Sequence, residues 1–449
     1  MEKFELFHNV QETVAGYKKF QQEHQQKTVD AWENIPICDK QNYLLNYPIT
    51  ELIRENSFAK CFLIGASSGF SKSGSVLWLK QSEDEESYIE QVKTLLINDY
   101  DIDKKTTLII VSLALGTWIG GMQLASALRS LAGKTDGVVT ATPGINLKES
   151  VHIAKEFGSM FEQIVWVTNP SSINIIYALL KDNKDLMNAK IYFPVVGEYF
   201  TENYRETISQ KFGHKKDNPF VVKTGYGSAD TGDLGIENET TIRLRKFLNN
   251  HPSICKALFN EENPPMLFIK NDKAYMETID GNLIVTKDQF VPLIRYNTHD
   301  TGGLISKNTL KLAGVPENLL ANLPNDILYI FGRTTDSVIF YGTNLNIYES
   351  GDFLNSLDES FSYAGLFEVE KKAKNDIEFI EYTIYVLEER QELIKNYQSI
   401  LIDSLKASSN EFAAKYDELK TAINDDLIKV KIKLISEKNN AEKHHTIRR

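Results

Sequence analysis

The sequence predicts an α/β protein: a large N-terminal domain of α/β layers that includes a β-rich subdomain, and a small mobile C-terminal α+β domain. Three observations predict it. Apolar runs of strand length alternate with helix-compatible stretches from about residue 60 to about 220. Short strands crowd the region from about 265 to 345. The C-terminal part changes character again, to a strand, a long helical pattern and a second strand. At 449 residues the chain also exceeds one ordinary core, so two or three domains are expected.

The elements follow in order. Residues 1–60 are polar and helix-like, with a turn at Ile35-Pro36. LIIVSLAL, DGVVTATPG, QIVWVTN and IYFPVVG then read as strands, each followed by a helical stretch. Residues 107–128 carry no charge and are long enough to span a bilayer. Gly116, Gly120, Gly121 and Gln123 interrupt them, and no aromatic belt flanks them, so they read as strand, glycine turn and helix. MLFIK, KAYMETI, NLIVT, ILYIFG and SVIFYG supply the β-rich part. IEFIEYTIYVL is a strand candidate, and 391–423 have helical spacing. KVKIKLIS alternates Lys with Val430, Ile432 and Leu434, a half-exposed strand. These elements divide the chain into 1–333, with its β subdomain at about 265–333, and 334–449.

Composition narrows the function. With 42% hydrophobic and 25% charged residues the chain reads as soluble and globular. Its 50 basic and 61 acidic residues leave −11 and no basic stripe, which argues against a nucleic-acid partner. Cys38, Cys61 and Cys255 are scattered, so neither a disulfide framework nor a Cys-rich zinc site is expected. The start, MEKFELFHNVQE, lacks an apolar signal core, and a cytoplasmic protein without membrane insertion is expected.

Several segments could carry chemistry. IGASSGFSKSG (64–74) is a Ser/Gly loop whose amides and hydroxyls can wrap phosphate, with Lys72 adding charge; alone such a loop is more often a plain flexible turn. In TGYGSADTGDLGIE (224–237), Tyr226 offers a stacking face between Gly225 and Gly227, and Asp230 and Asp233 are oxygen ligands of the kind Mg²⁺ prefers. PLIRYNTHDTGGL (292–304) places Asp300 after a strand, where a carboxylate can accept ribose hydroxyls; Arg295, among apolar neighbours, needs a partner and is also readable as purely structural. Arg333 follows a glycine at a strand foot and could contact ribose or phosphate. NNAEKHHTIRR closes the chain with a basic cluster that is ordinarily a solvated tail.

In this order the segments resemble the adenylate-forming superfamily of acyl-CoA synthetases, peptide-synthetase adenylation domains and luciferases, and within it the phenylacetate–CoA ligase branch. ENIPICDKQNYLLNYP, ASSGFSKSG, LGTWIGGMQLASALRSLAG and VVGEYFTENYRETISQKFG each resemble a segment of that branch, and GYGSAD, PLIRYNTHDTGGL and GRTTDSVIFYGTNLNIYE are the most specific matches. The resemblance implies that Ser67, Ser68, Gly69 and Ser71 serve the outer phosphates; Lys72, which stands where the family has glycine, is a further candidate by its charge. It implies that Tyr226 stacks on adenine, with backbone near Gly197 and Glu198 opposite, and that Gly227 and Ser228 lie at the nucleotide. Asp300 would bind the ribose with support from Arg333, and Asp230 would help place Mg²⁺. Trp118, Ile119, Gly120 and Gly225 would line the acid pocket, and Lys443 would be the lysine of a mobile lid.

The chain departs from the pattern at Phe70-Ser71-Lys72 in the loop, at Ala229-Asp230 where Thr-Glu is usual, at His299 where Gly is expected, and at Thr335 in the hinge. The implied activity is ATP-dependent formation of an acyl-AMP from a carboxylic acid, with pyrophosphate released and the acyl group passed to coenzyme A. A carrier-protein phosphopantetheine thiol or an amine is the alternative acceptor, and an acyl carrier protein or a homodimeric mate would be the protein partner. A non-catalytic nucleotide- or acyl-binding protein on the same scaffold is the rival class.

Overall fold

The computed structural model describes residues 2–25, 29–71, 74–215, 218–333, 337–340, 343–357, 359–374, 377–388, 390, 392–408, 412–413, 416–417, 420, 426–437 and 446–448. Contacts divide the chain into two compact units, Met1–Thr142 with Lys223–Gly332, and Pro143–Val222 with Arg333–Arg449.

The first unit opens with α1 (Lys3–Thr13) and α2 (Ala15–His24). Their Phe7, Val10, Tyr17 and Phe20 are buried in one cluster with Trp32, Tyr43, Trp78, Ile119 and Tyr296, so two polar helices are held by a single apolar stripe. β1 (Cys61–Ser71) and β2 (Gly74–Gln81) form an antiparallel hairpin, followed by α3 (Ser82–Tyr100). β3 (Thr107–Val111) is buried along its whole length and pairs in parallel with β4 (Val138–Ala141), across the crossover helix α4 (Ile119–Ala132). The uncharged stretch is therefore strand, turn and helix, and no helix among the described residues is long and apolar enough to cross a membrane. Gly121 permits the tight start of α4: a Cβ there would stand 2.0 Å from the Ala114 carbonyl oxygen.

The chain next enters the second unit through α5 (Leu147–Phe157), β5 (Gln163–Val167), α6 (Pro170–Leu180), α7 (Lys184–Met187), β6 (Lys190–Val195) and α8 (Glu202–Lys211). β5 and β6 are parallel. Asn146 caps α5, Pro170 occupies the first turn of α6, and Thr201 caps α8, so each helix starts on a residue suited to unpaired N–H groups.

Back in the first unit lie β7 (Val222–Ser228), β8 (Gly232–Ile236), α9 (Glu239–Asn249), α10 (Pro252–Phe259), β9 (Met266–Lys270), β10 (Ala274–Ile279), β11 (Asn282–Lys287), β12 (Leu293–Ser306), α11 (Lys307–Leu312), α12 (Glu317–Leu320) and β13 (Asp326–Arg333). These strands neighbour one another in the order β10-β11-β12-β13-β9-β8-β7, so the short strands from Met266 onward continue the ladder of β7 and β8. Asp300, expected just after a strand, lies inside β12, which runs on to Ser306 because its later residues pair as well.

The C-terminal part of the second unit contains the hairpin β14 (Ser337–Phe340) and β15 (Thr343–Asn346), then α13 (Ile347–Ser356), β16 (Tyr363–Lys374), β17 (Ile377–Val386), α14 (Leu393–Ser408), β18 (Ile428–Leu434) and β19 (Thr446–Arg448). The last four strands form a separate sheet in the order β18-β17-β16-β19. Along β18, Ile428, Val430 and Ile432 are buried while Lys431 and Lys433 are exposed, the alternation that KVKIKLIS predicts. β16 was not predicted, because EVEKKAK reads as a charged segment, yet Phe367 and Val369 point into the core of this sheet.

Candidate active site

Two segments that the sequence singles out meet in the first unit. Tyr226, near the tip of β7, donates its hydroxyl hydrogen to Asp300 Oδ2 at 2.5 Å. Its ring stacks on Phe268 of β9 at a centroid distance of 5.7 Å. Gly227 cannot carry a side chain, since a Cβ would stand 2.3 Å from the Gly232 carbonyl oxygen across the hairpin. Asp300 is 9% exposed and sits between two conformational exceptions. His299 before it has φ +58°, the left-handed region, which accounts for glycine in the resembled pattern. Here Asn297 Oδ1 accepts from the His299 N–H at 2.8 Å, and the His299 ring lies 3.1 Å from Asp39 Oδ2. After Asp300, a Cβ on Gly302 would meet the Tyr329 carbonyl oxygen at 2.5 Å.

The turn from β7 to β8 carries Ser228 and Asp230. Ser228 Oγ lies 3.0 Å from Thr231 Oγ1 and accepts from the Thr231 N–H at 3.2 Å, so it closes the turn. Asp230 accepts a short hydrogen bond from the Tyr296 hydroxyl. Gln289 Nε2 donates to the Asp230 carbonyl at 2.7 Å, and Lys287 Nζ donates to the Thr231 and Asp233 carbonyls at 2.7 Å each. Burial holds the Lys287 ammonium down at about 8, opposed mainly by the Asp233 carboxylate. Burial raises Asp233 above the usual carboxylate range. Burial also raises the Tyr296 phenol, with the Asp230 charge adding to it.

Arg295 anchors this region from behind. It is buried with φ +48°; its Nε donates to Glu277 at 2.9 Å and its Nη1 to the Ile35 and Glu33 carbonyls at 2.6 and 2.9 Å. Trp32 Nε1 shares the same Glu277 oxygen. Arg295 thus has the partners that a buried guanidinium needs and plays a structural part, tying β12 to the segment before Cys38.

The Ser/Gly segment differs from the loop expected of it. Residues 61–71 and 74–81 pair as strands, with Phe70 opposite Ser75 and Ser71 opposite Gly74, so most of the expected loop is paired strand. Ser67, Ser68, Gly69 and Ser71 lie on β1, where only the backbone is described, and Lys72 lies outside the described residues. Two contacts dock this hairpin on the start of α4. The Ala66 N–H donates to the Thr117 carbonyl at 2.6 Å, and a Cβ on Gly65 would stand 2.8 Å from Ile119. Trp118 is half-buried and Gly120 exposed, whereas Ile119 is 4% exposed within the core cluster. Gly225 lies on β7.

The remaining expected residues belong to the second unit. Gly197 follows β6 at φ +88°, near an Asn169 side chain that donates to the Val196 carbonyl at 2.8 Å. The Glu198 charge adds to burial in raising the Tyr204 and Tyr363 phenols. Arg333 is described in its backbone alone, and Lys443 lies outside the described residues. Among the described residues no group of three or more His, Cys, Asp or Glu side chains converges as a metal site.

Sequence reasoning missed Tyr296, Lys287, Gln289 and a buried lysine on β2, Lys80. A lysine inside the apolar run SVLWLKQ was the one available signal.

No protein-family model matches the chain, and no curated protein matches it. Among solved structures it is similar to 2-hydroxyisobutyryl-CoA ligase in the postadenylation state in complex with R3-HIB-AMP, with TM-score 0.67, 13% identity, and 99% of this chain and 88% of that chain covered. It is similar to the same ligase in complex with 2-HIB-AMP and CoA in the thioesterification state, with TM-score 0.53, 13% identity and 99% and 87% covered. It is also similar to the AtGH3.15 acyl acid amido synthetase in complex with 2,4-DB, with TM-score 0.55, 12% identity and 99% and 94% covered. The chain thus has the fold of the adenylate-forming enzymes that its sequence resembles, shared with a CoA ligase and an acyl acid amido synthetase.

Proposed function

We propose that this protein activates a carboxylic acid with ATP and hands the acyl group to the thiol of coenzyme A. The Tyr226–Asp300 hydrogen bond carries the reading: it brings together, from positions 74 apart, the two side chains that the resemblance assigns to adenine and ribose. The fold, shared with a ligase bound to an acyl-AMP, supports it.

In this reading the acid's carboxylate attacks the α-phosphorus of ATP, the bond to the bridging oxygen breaks, and pyrophosphate leaves. Asp300 accepts the ribose hydroxyls with Arg333 in support, Tyr226 offers its ring to adenine, and Gly227 and Ser228 hold the chain close to the nucleotide. Ser67, Ser68, Gly69, Ser71 and Lys72 serve the outer phosphates, and Gly197 and Glu198 are further nucleotide contacts. Trp118, Ile119, Gly120 and Gly225 shape the acid pocket. Asp230, oriented by the Tyr296 hydroxyl, would hold Mg²⁺, a hard cation that takes one or two carboxylates besides substrate phosphates. When bound, that ion offsets phosphate charge. Lys443 supplies a further cation from a lid formed by 334–449, against an adenylating domain of 1–333. The protein acts on a small-molecule acid in the cytoplasm, as a monomer or homodimer.

An amine acceptor is the second reading, favoured by the fold shared with an acyl acid amido synthetase. A carrier-protein thiol is the third acceptor. ATP–pyrophosphate exchange over aryl, fatty and amino acids tests the activation step, and no exchange with any acid would refute it. Product analysis with coenzyme A, amines and an acyl carrier protein then identifies the acceptor.

A further inference from the structure

We propose that Lys80 and Asp84 form a polar subsite for the acid substrate, and that this acid carries a hydroxyl group besides its reacting carboxylate. The inference rests on the ligase reading and names its substrate class.

Lys80 ends the apolar face of β2 and is 7% exposed. Among the described residues its ammonium makes no hydrogen bond or ion pair, so its N–H donors are open to a ligand. Asp84, on the first turn of α3, has its Oδ2 buried without a partner. The two groups feel each other's charge without touching, and burial pushes Lys80 down and Asp84 up from their ordinary values. Their neighbours are committed elsewhere. Asp230 accepts from Tyr296, Glu85 accepts from Gln123 at 3.1 Å, and Lys287 holds two carbonyls. A largely buried lysine beside an unpaired carboxylate oxygen is costly unless something joins them.

The site lies beside the proposed acid pocket. Asp230, whose charge reaches Lys80, follows Ala229, and Ala229 packs against the core cluster that contains Ile119. Gln123, bonded to Glu85, is one turn along α4 from Ile119. The Lys80 ammonium itself points at the β7–β8 turn, 3.8 Å from where a Gly232 Cβ would be.

Charge decides what fits. Asp84, Glu85, Asp230, Asp233 and Asp288 outnumber Lys80, Lys287 and Lys273, so a second anion on the substrate is disfavoured. An ammonium would meet Lys80 head-on. A hydroxyl satisfies both, its oxygen accepting from Lys80 and its hydrogen donating to Asp84.

The test is pyrophosphate exchange by the full chain with matched acids: benzoate against 3- and 4-hydroxybenzoate, phenylacetate against 4-hydroxyphenylacetate, and hexanoate against its 2-hydroxy, 6-hydroxy and 6-amino forms. At least one hydroxy acid should exceed its parent in kcat/KM by roughly ten- to a hundredfold. Lys80→Met and Asp84→Asn should each collapse that ratio towards unity, and Lys80→Met should melt no lower than the wild type, since it removes an unpaired buried charge. If Lys80→Met does not fold, the inference fails on that count, and Asp84→Asn still reads the ratio. Exchange without any hydroxyl preference, preference for the amino acid, or a ratio untouched by the variants overturns the subsite and leaves the ligase reading standing. Absence of exchange with every acid overturns both.

Discussion

The Tyr226 hydroxyl donates to Asp300 Oδ2 at 2.5 Å, joining the tip of β7 to β12. Two side chains proposed for one nucleoside therefore hold each other in place without it. Asp300→Ala should weaken ATP binding by about 1.5–3 kcal/mol, one to two decades in affinity by calorimetry. Tyr226→Phe keeps the ring on Phe268 and should lose less than Tyr226→Ala, which removes the stacking face. Unchanged affinity in Asp300→Ala would rule out the ribose assignment.

Tyr296 orients the Asp230 carboxylate from within the core. Tyr296→Phe preserves the packing and removes that donor. The Mg²⁺ concentration for half-maximal exchange should rise roughly tenfold, as expected for one lost hydrogen bond to a charged group. Asp230→Asn should raise it further. An identical Mg²⁺ dependence in both variants and wild type would remove Asp230 from the metal's surroundings.

Lys287 gives a pH dependence with a definite sign. Its folded value of about 8 lies below its ordinary 10.5. Between those values the unfolded chain binds more protons than the folded one, so this group's contribution to stability rises with pH across the window. Below it the penalty is present in full. Lys287→Met should flatten the slope of the urea midpoint across that window, and an unaltered slope would assign the dependence to another group.

Arg295 is a stability prediction. Arg295→Met removes a buried guanidinium and strands the Glu33 and Ile35 carbonyls it bonds. The loss should be about 3 kcal/mol in urea unfolding, the scale for breaking a buried charged network. Arg295→Lys should recover little, because one ammonium cannot reproduce the fork. A loss below about 1 kcal/mol would show the anchor to be dispensable.

Lys443→Ala tests the lid. A preorganised cation at a developing charge contributes about 2.7–4 kcal/mol, a hundred- to a thousandfold in rate. Acyl-AMP formation should fall by that factor, while transfer from supplied acyl-AMP to thiol or amine is spared. Full activity would move the role to Lys438, and equal loss of both steps would mark the tail as structural.

What the sequence determined by itself is what repeats locally. The strand–helix alternation from 107 onward and the lysine alternation of β18 were legible because burial on one face writes a short period into neighbouring residues. GYGSAD and PLIRYNTHDTGGL stood out because glycines, an aromatic and a carboxylate at fixed spacing are improbable without a constraint. Tertiary structure decided the rest. Ser/Gly residues carry no period, so nothing in IGASSGFSKSG distinguishes a phosphate loop from the hairpin that backbone pairing makes of it. The left-handed His299 is held by its bond to Asn297 and the strand around it, in a region that few non-glycine residues adopt. Tyr226 meets Asp300, Tyr296 meets Asp230, and Arg295 meets Ile35 only because the sheet brings distant segments together. Lys80 was visible as a letter, but its unpaired burial is a property of everything packed around it.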